Sequence, residues 1–280
     1  MKVKIKIPAK INLTLDVLGV KDGYHKISSL VASVNLYDAI SLSARKDDVV
    51  NITFRGLPVG VSGEKSLAFR AARLFMDEFS VKGADIEITR SIPAGGGLGG
   101  SSADVAGVLL GMKKLYGVSR GMDNLASRLG SDTAYMLKGG YAVLKGRGEK
   151  IRSLPEIKKK FYLLIIACDK GVSSGECYAE FDRQGKKYPQ RTGGAARLLA
   201  EGDTENFLKT LKNDLYLPAC EFVPEIRDNV NALILYGAAC MTGSGSAVYG
   251  IYPDKKTQNQ VYKKLYPVYG KRLIKAKTVI

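Results

Sequence analysis

The chain has a single histidine, His25, so a histidine-dependent catalytic triad could be built only around that residue. Its four cysteines, Cys168, Cys177, Cys220 and Cys240, form no Cys-x-x-Cys pair. With one histidine to add, this argues against a structural zinc site and for free thiols in a reducing compartment. No stretch approaches the roughly 20 apolar residues of a membrane span. The N-terminus alternates lysine with Val3, Ile5 and Ile7, which reads as a one-faced strand and not as the apolar core of a signal peptide. A cytoplasmic protein without membrane association is expected. Low-complexity tracts and repeats of about 20–50 residues are also missing.

Acidic residues are the minority, 27 against 43 lysines and arginines, giving a net charge of +16. Such a surface suits nucleic acid or polyanionic small ligands. The basic residues are dispersed, for example Lys158 to Lys160, Lys255-Lys256 and Lys271-Arg272, with little aromatic interleaving for base stacking. A solvated basic surface without a nucleic-acid partner is expected, in a monomer or homodimer.

What is present is a concentrated run of glycine. Residues 93 to 104 read Pro93-Ala-Gly-Gly-Gly-Leu-Gly-Gly-Ser-Ser-Ala-Asp104, with five glycines in twelve positions. Glycine is entropically costly to order, but it leaves backbone N–H groups open to a ligand. Val105, Val108, Leu109, Met112 and Leu115 then recur at helical spacing. The loop therefore leads into a helix N-terminus, where unpaired N–H groups favour an anion. Ser101, Ser102 and Asp104 are each able to cap that helix. A P-loop would need Gly-Lys-Ser/Thr, and no lysine lies between Arg90 and Lys113. Gly95, Gly97 and Gly100 match G-x-G-x-x-G formally. Helix at Met122 to Leu129 takes the place of the second strand that a dinucleotide fold requires.

At 280 residues the chain has room for about two domains. Strands are expected over Val3–Val17 (interrupted at Pro8), Ile27–Val34, Ile40–Leu42, Val49–Phe54, Ala84–Thr89 and Tyr141–Leu144. A helix is expected over Ser66–Phe79. Gly146-Arg-Gly148 and Pro155 mark the boundary between domains 1–153 and 154–280. The second half opens on the apolar run Phe161–Ala167, a buried central strand. Helices follow over Ala195–Glu201, Thr204–Leu211, Pro224–Leu235 and Lys255–Tyr266, with strands at Ala247–Tyr252 and Arg272–Thr278. Strands and helices mix without regular alternation, which makes the fold class α+β.

Several side chains admit two readings. Lys10, Asn12 and Thr14 share one strand face and could meet a ligand, although a strand lysine is ordinarily exposed. Asp132, in Leu129-Gly-Ser-Asp132, is either an N-cap or the base of a phosphoryl transfer. Tyr24 and His25 follow the turn Asp22-Gly23 and are either loop residues or a place for a base to stack and pair. Gly171 to Tyr178 and Thr242 to Ser246 are turns that could wall a substrate site.

Taken in order, the motifs resemble the GHMP kinase superfamily. Pro8-Ala-Lys-Ile-Asn-Leu13, Asp22-Gly-Tyr-His25, Leu36-Tyr-Asp38, Pro93 to Asp104, Leu129-Gly-Ser-Asp132 and Gly146-Arg-Gly-Glu149 carry the resemblance. Val172 to Tyr178, Asn213-Asp-Leu215 and Met241 to Ser246 complete it. Gly23-Tyr-His25 sets the chain apart from mevalonate- and homoserine-type members, which stay as alternatives beside a basic nucleic-acid-binding protein. The resemblance implies a GHMP kinase fold, with an N-terminal domain like ribosomal protein S5 domain 2, ATP-binding and catalytic, and a ferredoxin-like C-terminal domain. It places the active site between them. It implies ATP with Mg²⁺, and transfer of the γ-phosphate to the 2-hydroxyl of a cytidine-diphosphate-linked methylerythritol in non-mevalonate isoprenoid synthesis. It makes Asp132 the general base and Lys10 its partner. It gives ATP to Pro93, Ala94, Gly95, Gly96, Gly97, Leu98, Gly99, Gly100, Ser101, Ser102 and Ala103. It gives the cytidine-bearing substrate to Asn12, Tyr24, His25 and Tyr178, and it assigns no side chain to a metal. Three places differ from the family pattern: Ser66 stands for an asparagine, Ser101 for a glycine, and Thr133-Ala-Tyr135 for Val-Pro-Phe.

Overall fold

A computed structural model describes residues 2–58, 61 and 63–280. The strands are β1 Lys2–Asn12, β2 Thr14–Lys21, β3 Tyr24–Ala44, β4 Asn51–Gly56, β5 Ala84–Arg90, β6 Tyr141–Gly146, β7 Lys150–Ser153, β8 Tyr162–Ile166, β9 Lys212–Asn213, β10 Ala238–Met241, β11 Val248–Tyr252 and β12 Leu273–Lys277. The helices are α1 Leu67–Phe79, α2 Gly100–Tyr116, α3 Met122–Leu129, α4 Thr133–Lys138, α5 Ser174–Gln184, α6 Thr192–Ala200, α7 Thr204–Lys209, α8 Tyr216–Phe222, α9 Glu225–Ile234 and α10 Lys255–Tyr269.

The chain forms two compact units, and neither is continuous in sequence. The first comprises Met1–Ala9, Leu36–Ala94 and Gly99–Gly139; the second comprises Lys10–Asn35, Gly95–Leu98 and Gly140–Ile280.

In the first unit the C-terminal part of β3 pairs antiparallel with β5, and β5 pairs in parallel with β4. Alternation along β5 turns Ala84, Ile86, Ile88 and Arg90 inward and Asp85 and Glu87 outward. Ser66 caps α1: its hydroxyl accepts from Phe69 N at 3.1 Å and donates to Gly63 O at 2.7 Å. That cap contributes about 1 kcal/mol, and it gives this family departure a structural role. The helix after the glycine run is buried nearly all round, not on one face. It can lie so close to β3 because a Cβ on Gly107 or Gly111 would stand 2.3 Å from Ile40 or 2.2 Å from Leu42.

In the second unit, the antiparallel sheet has the order β10-β11-β8-β12. Numbered within that sheet, this is the 4-1-3-2 arrangement of a ferredoxin-like domain, with α10 joining the third strand to the fourth. The apolar strand β8 lies in its interior, as its composition predicts. Leu164, Ile166, Ile226, Leu233, Met241, Val248 and Val261 share one buried core. All four cysteines are free, and burial pushes the Cys177 and Cys240 thiols up to about 12. The N-terminal part of β3 carries β2 on one side and β6 on the other, followed by β7. Arg147 to Glu149 thus form the turn of the β6–β7 hairpin.

Three sequence expectations need correction. Pro8 does not interrupt β1, which among the described residues pairs with β3. A proline on an edge costs no ladder bond. The segments Ile27–Val34 and Ile40–Leu42 belong to one 21-residue strand, because Asn35 Oδ1 and Asp38 Oδ1 accept backbone hydrogen bonds from neighbouring segments and do not mark a turn. Helices α5 and α8 escaped notice because both lack a long apolar period. Among the described residues, no helix is long and apolar enough to cross a membrane.

The second unit depends on Asp16, a buried carboxylate accepting from Arg191 N at 3.1 Å and Thr192 N at 3.0 Å at the start of α6. Asp16→Ala leaves one buried and one part-buried donor unpaired and should lower stability by about 2–3 kcal/mol. Urea unfolding should show a lower midpoint with an unchanged slope.

Candidate active site

Lys10 and Asn12 lie at the end of β1, where alternation puts both on one face. Lys10 is only 4% exposed, unlike an ordinary strand lysine, and its Nζ donates to Asn12 Oδ1 at 2.7 Å. The same oxygen accepts from Gly243 N at 2.9 Å and Thr242 Oγ1 at 3.2 Å, while Asn12 Nδ2 donates to Ser29 Oγ at 2.7 Å. Asn12 thus fixes the lysine and the Thr242 turn together. Asn213 braces that turn from the other side, donating to Met241 O at 3.0 Å and Gly243 O at 2.8 Å.

The middle of the glycine-rich loop belongs to this unit. Gly95 O accepts from Ser246 N and Gly96 O from Ala247 N, each at 3.2 Å, and Leu98 O accepts from Lys10 N at 3.0 Å. A Cβ on Gly97 would stand 2.2 Å from Thr242 O, and one on Gly95 3.1 Å from Gly171 Cα. The turns at Gly171 and Thr242 are themselves joined by Ser174 and Ser244, whose hydroxyls are 2.9 Å apart. Three loops that are far apart in sequence therefore meet around one backbone contact.

Asp22 and Gly23, at φ +54° and +74°, form the two-residue turn of the β2–β3 hairpin, and Lys21 pairs with Tyr24 across it. Positive φ at both positions is the geometry that Asp-Gly favours. His25 is therefore a strand residue and not a loop residue. Its ring stacks on Tyr178 of α5, with centroids 4.6 Å apart and planes at 19°. His25 Nε2 lies 2.9 Å from Asp182 Oδ1. In the neutral ring this keeps the proton on Nε2 and leaves Nδ1 as an acceptor. Exposed Tyr24 carries the Arg147 guanidinium 4.6 Å from its ring centroid.

The first unit holds the two ends of the glycine-rich loop, together with Asp132. Pro93 and Ala94 follow Ile92, and Gly99 to Ala103 open α2. Along the loop Gly95, Gly97 and Gly99 are all left-handed, at φ +70°, +70° and +79°. Alternating left-handed residues of this kind form the concave N–H nests that bind anions. Gly99 is the N-cap of α2, and no side chain caps that helix. The expectation that Ser101, Ser102 or Asp104 would do so is wrong. The serines already lie within the first turn, and buried Asp104 accepts from Arg90 Nε at 2.8 Å and from its Nη2. Asp132 holds the N-cap position of α4, but its carboxylate makes no capping hydrogen bond. The capping reading of this residue therefore does not account for it.

Residues 66–142 match the GHMP kinases N terminal domain and residues 195–270 the GHMP kinases C terminal domain. A 4-diphosphocytidyl-2-C-methyl-D-erythritol kinase of Caldanaerobacter subterraneus subsp. tengcongensis is 35% identical over 276 residues, covering 96% of this chain and 94% of its own. The kinase of the same name from Clostridium tetani is 33% identical, covering 99% and 100%. The chain belongs to the 4-diphosphocytidyl-2-C-methyl-D-erythritol kinase family of GHMP kinases. A crystal structure of a 4-(cytidine 5'-diphospho)-2C-methyl-D-erythritol kinase superposes with a TM-score of 0.82 at 26% identity, covering 99% of each chain.

Within this family frame, the sequence reading missed Asp182, Arg147 and the Arg90–Asp104 pair. Asp182 and Arg147 sit in exposed, charge-rich stretches that look ordinary. Arg90 and Asp104 flank the glycine run, and the inward phase of β5 was the available signal. Gly97→Ala should destabilise the second unit by about 2 kcal/mol or more and weaken nucleotide binding. Gly96→Ala, whose Cβ would come no nearer than 3.1 Å to any neighbour, the side-chain Cβ of Ala247, should do clearly less. Calorimetric unfolding and nucleotide titration of both variants check this.

Proposed function

We propose that this chain transfers the γ-phosphate of ATP to the 2-hydroxyl of 4-diphosphocytidyl-2-C-methyl-D-erythritol, with the labour divided among the residues above. The observation that carries the reading is the glycine-rich loop: alternating left-handed glycines leading into an uncapped 17-residue helix. Its unpaired N–H groups suit the oxygens of a polyphosphate. Mg²⁺ fits as a partner of the nucleotide. Among the described residues, no group of three or more His, Cys, Asp or Glu side chains could hold a metal. Carried by the nucleotide's phosphate oxygens, the cation would supply neutralisation of the charge that develops during transfer.

The acceptor is a tertiary alcohol, poorly acidic and crowded, so positioning matters more than full deprotonation. Its oxygen attacks the γ-phosphorus as the bond to the β,γ-bridging oxygen breaks; ADP leaves, and the hydroxyl proton passes to the Asp132 carboxylate. Lys10, held by Asn12, supplies positive charge toward the reacting oxygens. Asn12 acts on the acceptor mainly through Lys10, because its carbonyl oxygen already takes three protein donors. The cytosine stacks against the paired rings of His25 and Tyr178, with Tyr24 contributing from the hairpin tip, and His25 Nδ1 accepts from its exocyclic amine.

Asp132→Asn should lower kcat by about a hundredfold or more with KM for both substrates little changed. Turnover within about tenfold of wild type would overturn the base assignment. His25→Ala should raise KM for the cytidyl substrate about tenfold and leave KM for ATP unaltered. Equal effects on both constants would remove the histidine from base recognition. Steady-state kinetics with each substrate varied in turn provides both readouts.

A further inference from the structure

A second acidic group lies beneath the glycine-rich loop, wholly within the first unit. Asp38 of β3 is completely buried; its Oδ1 accepts from Ser91 N at 2.6 Å and Ile92 N at 2.9 Å, the residues that lead into Pro93. Asp104 of α2 is 1% exposed and is bound by Arg90 through one oxygen, Oδ2. Arg90, Ser91 and Ile92 are consecutive, so the two buried carboxyl groups converge on one short segment and act on each other. Each has one buried oxygen, Asp38 Oδ2 and Asp104 Oδ1, with no donor from the protein.

Two ionised carboxylates cannot hydrogen-bond to each other, since both only accept. Two buried negative charges beside a single guanidinium also leave one charge uncompensated. One proton resolves both problems by turning one carboxyl into a donor. The groups facing the pair are Arg90 at the end of β5, the N–H groups of Ser91 and Ile92, and Phe54 of β4, whose ring centroid lies 5.4 Å from the Arg90 guanidinium carbon. Arg90 acts on both carboxyls.

We propose that Asp38 and Asp104 hold one proton between them and act as positioning residues, joining the entry of the glycine-rich loop to the first turns of α2. This rests on the reading of that loop as the ATP site. Burial pushes both carboxyls up, Asp104 to about 7. The shared hydrogen bond is therefore present in acid and lost as pH rises through neutrality. Asp38 then keeps its backbone bonds and Asp104 its arginine, so the Arg90–Asp104 pair remains to tie the loop entry to α2, without the second tie through Asp38.

The sign of the stability effect follows. Between the unfolded value of 3.8 and the folded value of about 7, the folded state holds the extra proton. The pair's contribution to stability is thus complete below the first value and declines as pH rises to the second.

The test compares wild type with Asp104→Asn and Asp38→Asn. Each amide supplies a permanent donor where the proton sat, and the second variant serves if the first folds poorly. Thermal unfolding against pH should show a wild-type decline toward neutrality that is flattened in the variants. Wild-type KM for ATP should rise about three- to tenfold across neutrality, the loss of one hydrogen bond, while the variants stay level. Carboxyl ¹³C signals of the wild type should show one protonated carboxyl at about pH 5.5. Finding both ionised there, or parallel stability profiles in wild type and variants, overturns the shared proton. A flat wild-type KM with the stability difference intact overturns the link to the loop. If ATP were not the ligand, turnover would be absent at every pH while the stability difference persisted, which separates the two failures.

Discussion

The second unit is organised around one buried amide. Asn12 Oδ1 takes hydrogen bonds from a lysine ammonium, a threonine hydroxyl and a backbone N–H, and the same side chain reaches Ser29 through its nitrogen. An oxygen with three donors is held on several sides, so it fixes all three partners relative to β1. A buried ammonium is expensive to desolvate unless its bonds are made. Placing the acceptor two residues along the same strand uses the pleat itself to supply the bond. The lysine then presents its charge from a defined position and does not sample rotamers.

Much of this architecture could be read along the chain, for identifiable reasons. The glycine run, the helical period behind it and the apolar β8 are local patterns, and local patterns survive in sequence. Lys10 and Asn12 were visible for the same reason, since period-two alternation alone puts them on one face. What could not be read was made by distant partners. Asn12 meets Thr242 and Gly243 across more than two hundred residues. Asp182 reaches His25 from a helix whose own pattern is weak. The length of β3 was underestimated because polar residues in its middle resemble a turn until their partners are known. The three candidate caps of α2 were misassigned because a left-handed glycine sits just before them, and glycine at an N-cap leaves no side-chain signature.

The two acidic systems differ in kind. Asp16 faces only backbone donors at the start of α6 and belongs to the stabilising frame. Asp38 and Asp104 face each other as well as donors, which turns a frame element into one that carries a proton. Buried carboxyls of similar exposure thus take different roles according to whether their second oxygen finds an N–H or another oxygen.

The close backbone approach at Gly97 also bears on how the second unit breathes. The amides of Lys10, Ser246 and Ala247 donate to Leu98, Gly95 and Gly96, so a strand end, a serine turn and the glycine-rich loop share their hydrogen bonds. None of these segments can fray alone without unpairing its neighbours. Hydrogen exchange at the three amides should therefore proceed through one cooperative opening, with a common free energy and a common response to denaturant. A loop that looks from its composition like the most pliable part of the chain would exchange with the sheet that holds it.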